Sequence, residues 1–262
     1  MPKQFSQTMI LTASLVALLL GLGAGRFVLP MLTGSTPDQD NVSQSPTVPS
    51  NAKDPAIKRY QVPVSMSQPA RGPSDALVTL IEWCDFESEA CRKLATVLDG
   101  VEKKYGQAVR IVFRHYSPSN LDGQLQHEFA QAAHEKNGAF WKVQARLLQA
   151  KTTPTMADLE RIATETGLDW ANMRASLDDH GYASHVIADH VFAEMFDVTS
   201  IPAVFVNGRR LAGEPTQREL QTLIEDEIAR TKQLVKGGMR KDKLYAELTK
   251  DGAYRMPTRK AP

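Results

Sequence analysis

The sequence has few of the features that mark several large protein classes. Only two of its 262 residues are cysteines, which excludes a disulfide-rich scaffold and leaves material for one redox pair. The formal net charge is +1, so no nucleic-acid surface is predicted. The chain has no internal repeat and no glycine-rich phosphate loop. Its six histidines lack metal-binding spacing, so we expect core or surface roles for them, and neither a metal nor another cofactor.

A long apolar stretch lies near the start of the chain. Residues 9–25 are uncharged, close to the lower limit of ~17 residues for crossing a bilayer, and VLPML continues the stretch beyond Arg26. We interpret residues 1–33 as a single-pass membrane anchor. A cleaved signal peptide is the alternative, because the small residues Gly23, Ala24 and Gly25 suit a cleavage site. Either interpretation places the remainder on the periplasmic or extracytoplasmic side, where disulfides form.

Residues 34–58 are rich in Ser, Pro, Asn and Asp and contain few large apolar groups. Such a segment cannot offset its ordering entropy by burial, so we predict a flexible linker. A folded domain is predicted over residues 59–236, with a helical insertion at about 122–196. Residues 237–262 are predicted to hold a C-terminal helix, over 239–252, and a tail.

The domain shows an α/β pattern. We predict an edge strand over 60–64, a loop, a buried strand over 77–83, a helix from about Ser88 to Tyr105 and a second central strand over 108–116. After the insertion, a strand over 202–208 turns at Asn207-Gly208 into a hairpin partner, and a helix covers 215–235. The two early strands should pair in parallel and the hairpin should add antiparallel strands, which gives a mixed sheet.

Both cysteines lie where the buried strand gives way to the first helix, in LVTLIEWCDFESEACRKL (77–94). A helix N-terminus has unpaired N–H groups and a positive dipole end, and these favour the thiolate that thiol chemistry needs. One acid, Glu82, interrupts the apolar strand. Because strand side chains alternate, Glu82 and Cys84 should share one face.

Four stretches together resemble the DsbA-like thiol–disulfide oxidoreductases, which have the thioredoxin-like fold. They are RGPSDALVTLIEWCDFES, the helical block with AAHEKNGAFW, TSIPAVFVNGRRLAG and the long helix that follows, and they span about residues 58–232. The resemblance implies a mixed sheet with an inserted helical subdomain, and a cis peptide bond before Pro202. It also implies a substrate groove at Ile201 and Pro202, exported protein thiols or disulfides as clients, and a redox partner protein in the membrane.

One departure from the family concerns the active site. The family's Cys-x-x-Cys window here reads Ser88-Glu89-Ala90-Cys91, and a serine hydroxyl cannot form a mixed disulfide. The resemblance implies that Glu82 lies beneath the active-site helix, so Cys84, on the same strand face, should point to the same side of the sheet as Cys91. A bond between the two cysteines needs Cα atoms within about 7 Å. The alternatives are a reactive Cys91 alone and two inert buried thiols.

Three function hypotheses follow. In the first, a membrane-tethered, non-standard oxidoreductase uses Cys91, alone or with Cys84. The resemblance implies that Glu82 then accepts protons, and Ser88, the expected helix N-cap, stabilises a Cys91 thiolate. The second is a redox-inactive peptide- or protein-binding module. The third is a glutathione-dependent transferase using Ser88, similar to the kappa-class enzymes. For Glu82, a salt bridge with Lys93 or with a basic residue of the helical block is the structural alternative.

Overall fold

The computed structural model describes residues 57–116, 121–211 and 213–254. The predicted membrane anchor and nearly all of the predicted linker lie outside this part of the chain. Among the described residues, no helix combines the length and the apolar character that crossing a bilayer requires.

The centre of the domain is a five-stranded mixed sheet with the strand order β1-β3-β2-β4-β5. β2 and β3 pair in parallel, as predicted, and the other neighbouring pairs are antiparallel. The central strand β2 is buried along its whole length, which explains its almost continuous apolar run. The strands are β1 (Ala70–Arg71), β2 (Val78–Cys84), β3 (Val109–His115), β4 (Ala203–Val206) and β5 (Arg209–Leu211).

Helices cover both faces of the sheet. One core cluster contains Leu80 and Cys84 and extends into the helical block, and the other contains Ile81 and Trp83. The alternation along β2 therefore sends its side chains into two separate cores. The helices are α1 (Glu89–Tyr105), α2 (Leu121–Asn137), α3 (Phe140–Leu147), α4 (Met156–Thr166), α5 (Trp170–Asp178), α6 (Ala183–Met195), α7 (Gln217–Lys236) and α8 (Leu244–Thr249).

The prediction of an edge strand over 60–64 was wrong. Tyr60 makes a single bridge with Ala253, and the strand beside β3 is β1, which lies in the stretch predicted as a loop. The carbonyl groups of Val62 and Pro63 are bound by side chains instead of a ladder, with Tyr245 donating to the first at 2.7 Å and Arg114 to the second.

The C-terminal helix is shorter than predicted. α8 covers Leu244–Thr249 and follows a short 3-10 turn at Lys241–Lys243. Beyond it, Gly252 crosses the start of the domain so closely that a Cβ there would lie 2.5 Å from the backbone nitrogen of Gln61. The close crossing leaves no room for a side chain and therefore requires glycine at position 252.

The predicted turn at Asn207-Gly208 is present between β4 and β5. Both residues have positive φ, 44° and 81°, as a two-residue hairpin turn requires. The side chain of Asn207 accepts a hydrogen bond from the backbone of Thr79 at 2.9 Å and thereby fastens the hairpin to β2.

Candidate functional site

The junction between β2 and α1 is a tight, hydrogen-bonded turn. Ser88 is the N-cap of α1, and its hydroxyl oxygen accepts a hydrogen bond from the backbone N–H of Cys91 at 3.3 Å. Asp85 holds the preceding residues, because its carboxylate accepts from the backbone of Glu87 at 2.8 Å. The N-cap role expected for Ser88 is thus present, and Cys91 lies in the first turn of the helix, at its positive end.

A disulfide joins Cys84, the last residue of β2, to Cys91. Their Cα atoms are 5.7 Å apart, within the range that disulfides span. Both residues are almost fully buried, with 2% and 1% of their surface exposed. Of the three arrangements that the sequence leaves open, the structure has the bonded pair.

Glu82 lies on the same side of β2 as Cys84 and is buried in the domain. Burial raises the pKa of its carboxyl group to about 8, against the smaller opposing effect of Arg71. Its Oε1 atom has no hydrogen-bond partner within the described part of the chain. The salt bridge with Lys93 considered from the sequence is not formed, because Lys93 is exposed on α1 and pairs with Glu89 at 3.0 Å.

Pro202 lies at the end of the sheet next to the disulfide. The antiparallel register pairs Trp83 with Ala203, so it places Pro202, the residue before Ala203, opposite Cys84, the residue after Trp83. The peptide bond between Ile201 and Pro202 is cis, as the resemblance implied, and Ile201 packs against both core clusters.

Two buried residues at the site were not predicted from the sequence. His115 pairs with Cys84 in the parallel register, and its Nδ1 atom lies 2.9 Å from Nδ1 of His127 on α2. Burial and the neighbouring His127 hold the pKa of His115 well below its usual range. The available signals were a histidine ending an apolar strand and another inside a buried helix, but their meeting depends on how α2 packs.

A mixed sheet of this order, with a cysteine pair across the first strand–helix junction and a cis proline beside it, defines a thioredoxin-like protein with a candidate redox disulfide. A family model described as Thioredoxin (Thioredoxin_4) matches residues 65–226. Because this match covers more than half of the chain, the chain belongs to that family. The identification of a DsbA-like thioredoxin-fold protein from the sequence is confirmed.

Solved structures show the same fold. Oxidised BdbD from Bacillus subtilis has a TM-score of 0.61 at 21% identity, over 66% of this chain and 98% of that protein. Wolbachia pipientis alpha-DsbA1 has a TM-score of 0.58 at 16% identity, over 67% of this chain and 96% of that protein. A periplasmic thioredoxin-like protein from Salmonella enterica serovar Typhimurium has a TM-score of 0.55 at 16% identity, over 64% of this chain and 94% of that protein. At these identities the likeness concerns the fold alone.

The curated relatives are much longer proteins. The chain is 32% identical over 174 residues to Na(+)/H(+) antiporter NhaA 3 of Salinispora tropica, which is 66% of this chain and 26% of the antiporter. It is 30% identical over 155 residues to Na(+)/H(+) antiporter NhaA of Herminiimonas arsenicoxydans. This match covers 59% of this chain and 25% of that antiporter. The chain thus spans about a quarter of the length of these relatives.

Proposed function

We propose that this protein is a non-standard thiol–disulfide oxidoreductase whose redox centre is the Cys84–Cys91 pair. The observation that supports this most is the disulfide itself, because it connects a strand end to the first turn of α1. When the disulfide is reduced, the N–H groups and the dipole of α1 favour a thiolate at Cys91. A thiolate at that position can attack a client disulfide.

The exchange takes place in two displacements. A client thiolate attacks one sulfur of the Cys84–Cys91 bond, which breaks as a mixed disulfide forms. The second client thiol loses its proton and attacks the mixed disulfide, so that the client leaves with a disulfide and the protein keeps two reduced cysteines. The client has then lost two electrons and two protons, the cysteine pair has gained the two electrons, and the two protons are shared between the released cysteine sulfurs and basic groups beside them.

Two side chains support this chemistry. Glu82 shares the face of β2 with Cys84, and a carboxyl pKa of about 8 lets it exchange a proton near neutral pH. Ser88 uses its oxygen to accept from the backbone of Cys91, which leaves the hydroxyl hydrogen available to a Cys91 thiolate. Removing either side chain should slow exchange without removing the redox centre.

Exported protein thiols or disulfides are the proposed clients. Ile201 and Pro202, next to Cys84, would form the edge on which a client segment lies. Residues 1–33 would anchor the protein through the linker at residues 34–58, with the domain outside the cytoplasm, where a membrane protein would restore its redox state. This location is supported by the apolar N-terminal stretch and by the similar fold of a periplasmic thioredoxin-like protein from Salmonella enterica serovar Typhimurium.

A redox-inactive binding module is the second candidate. Its support is the burial of Cys84 and Cys91, which are 2% and 1% exposed, so a client thiolate reaches neither sulfur unless the turn at residues 85–88 moves. Such a module would keep the edge at Ile201 and Pro202 for binding and use the disulfide only to hold the turn.

The test mixes the oxidised full-length protein with a reduced model peptide that contains two cysteines. Thiols are alkylated at intervals and both species are analysed by mass spectrometry. We expect the peptide to lose two hydrogens as Cys84 and Cys91 become alkylated in equal amount, and a Cys84→Ala/Cys91→Ala variant to oxidise no peptide. Peptide binding without any transfer of oxidation would support the binding module instead.

A further inference from the structure

A buried pair of imidazole rings lies beside the disulfide, and the proposed exchange assigns no role to either ring. His115 and His127 are both buried, and their Nδ1 atoms are 2.9 Å apart. A single hydrogen bond joins these two nitrogens, so only one of them is the donor. The remaining contacts of the two rings decide which one it is.

Gln131 fixes the protonation of His115. The amide nitrogen of Gln131 donates to the carbonyl oxygen of Ser67 at 2.9 Å and to the carboxylate of Glu135 at 3.1 Å. The amide oxygen therefore faces Nε2 of His115, at 3.0 Å, and this Nε2 is the donor. Because burial keeps the pKa of His115 well below its usual range, the ring is neutral and its Nδ1 accepts.

His127 must then donate from Nδ1, which leaves its Nε2 as the nitrogen that can gain a proton. This Nε2 is buried and has no hydrogen-bond partner among the residues that the structure describes. Oδ1 of Asp85 lies 3.7 Å from it. A buried polar atom without a partner is costly, and here a proton on Nε2 would create an ion pair with a nearby carboxylate.

The free nitrogen faces the loop that the disulfide closes. Asp85 belongs to this loop, and so does Phe86, whose ring centroid is 4.5 Å from that of His127. On the other side, His115 pairs with Cys84 in the register of β2 and β3. A positive charge on His127 would therefore develop within the immediate surroundings of the cysteine pair.

We propose that His127 stores one proton of the redox cycle on its Nε2 atom and acts on the cysteine pair through the resulting charge. The inference rests on the proposed function. When a client dithiol reduces the site, the client sulfurs form a bond, the Cys84–Cys91 bond breaks, and two electrons pass to the cysteines. One of the two client protons goes to a cysteine sulfur and the other to His127 Nε2. The reduced site is then a thiol, a thiolate and an imidazolium, and reoxidation returns both protons.

The charges around His127 suit this role. The carboxylate of Asp85 supplies the counter-charge for a proton on Nε2, because its Oδ1 atom lies 3.7 Å away. The titratable groups around the imidazole pair are Asp85 at Nε2 of His127, His134 and His185, whose charges act on His115, and Asp189, whose carboxylate accepts from the backbone N–H of His115 at 2.9 Å.

The test observes the imidazole nitrogens directly. The full-length protein, labelled with ¹⁵N-histidine, is studied at pH 7 by long-range ¹H–¹⁵N NMR before and after reduction with dithiothreitol. We expect His127 to carry a hydrogen on Nδ1 alone when oxidised and on both nitrogens when reduced, while His115 keeps its Nε2 hydrogen throughout. A His127 that has the same protonation state before and after reduction would overturn the inference.

Variants provide an independent readout. At pH 6 the reduced His127→Gln protein should react with iodoacetamide about tenfold more slowly than wild type, because the thiolate has lost its cation. His180→Gln, at a half-exposed histidine outside this group, should react as wild type does. If His127→Gln does not fold, Asp85→Asn serves instead, and it should lower the imidazolium fraction of His127 in the reduced spectrum. Wild-type behaviour of the folded variants would count against the inference.

Failure of the inference and failure of the proposed function give different results. The NMR experiment needs only dithiothreitol, so an imidazolium signal together with no client exchange would overturn the proposed function alone. Client exchange with unchanged His127 would overturn the inference alone. A disulfide that dithiothreitol cannot reduce in the folded protein would overturn both.

Discussion

Cys84 and Cys91 are bonded across the junction of β2 and α1, with their Cα atoms 5.7 Å apart. Between them, Ser88 acts as the N-cap of α1. The partner of the helix cysteine therefore comes from the end of the strand. This arrangement keeps Cys91 at the positive end of the helix while burying both sulfurs.

Reduction should lower the stability of the domain by a modest amount. The disulfide closes a short loop, with a sequence separation of 7, for which the chain-entropy estimate is about 2.5 kcal/mol. We expect urea unfolding of the wild-type protein to show a free energy of unfolding that is lower by this amount in dithiothreitol. A Cys84→Ala/Cys91→Ala variant should unfold identically with and without the reductant, and an equal loss in that variant would rule out the disulfide as its cause.

Glu82 should make the stability depend on pH. Its pKa is about 8 in the folded protein and 4.5 in the unfolded chain, so the folded state holds a proton that the unfolded state releases. The contribution of this proton to the free energy of unfolding is fully present below pH 4.5 and is lost as the pH rises to about 8. Within that window the expected slope is on the order of 1 kcal/mol per pH unit.

Glu82→Gln tests this, because the neutral amide has no proton to lose. Urea unfolding of the oxidised protein between pH 5 and pH 9 should show a shallower decline in the variant than in wild type. Glu89→Gln is the matched control, since Glu89 is exposed on α1 and should leave the slope as it is. If wild type and Glu82→Gln decline in parallel, the carboxyl group of Glu82 is not held protonated by burial.

Ser88→Ala should destabilise α1, since it removes the oxygen that accepts from the backbone of Cys91. Loss of an N-cap costs about 1 kcal/mol, and Ser88→Thr, which keeps the oxygen, should recover most of it. Urea unfolding of the oxidised variants measures both. If the protein instead shows glutathione-dependent turnover and Ser88→Ala abolishes it, the transferase hypothesis is favoured. That result would contradict the view that Ser88 serves only as the N-cap.

Much of the fold could be predicted because its strongest patterns are local. The apolar run of β2, the helical spacing of α1 and the Asn207-Gly208 turn each carry their own signal. β1 was missed because its two residues are too few for a periodic pattern. Its pairing depends on β3, which only the folded chain brings alongside.

The site was predictable only in part. Strand alternation placed Glu82 and Cys84 on one face, and that relationship follows from the backbone alone. The pairing of His115 with His127 was not predictable, because the two residues lie on β3 and α2 and their contact depends on helix packing. A resemblance to a family likewise indicates which positions matter, but not which new side chains surround an altered active site.

The reduction potential of the Cys84–Cys91 pair decides whether the disulfide takes part in exchange or only holds the turn. The full-length protein is equilibrated in glutathione buffers of graded composition, the thiols are trapped by alkylation, and the fraction reduced is measured by peptide mass spectrometry. An exchange centre should have its midpoint between roughly −270 and −120 mV, the range of thiol–disulfide exchange proteins. A midpoint below about −300 mV, typical of structural disulfides, would contradict a redox function for this site.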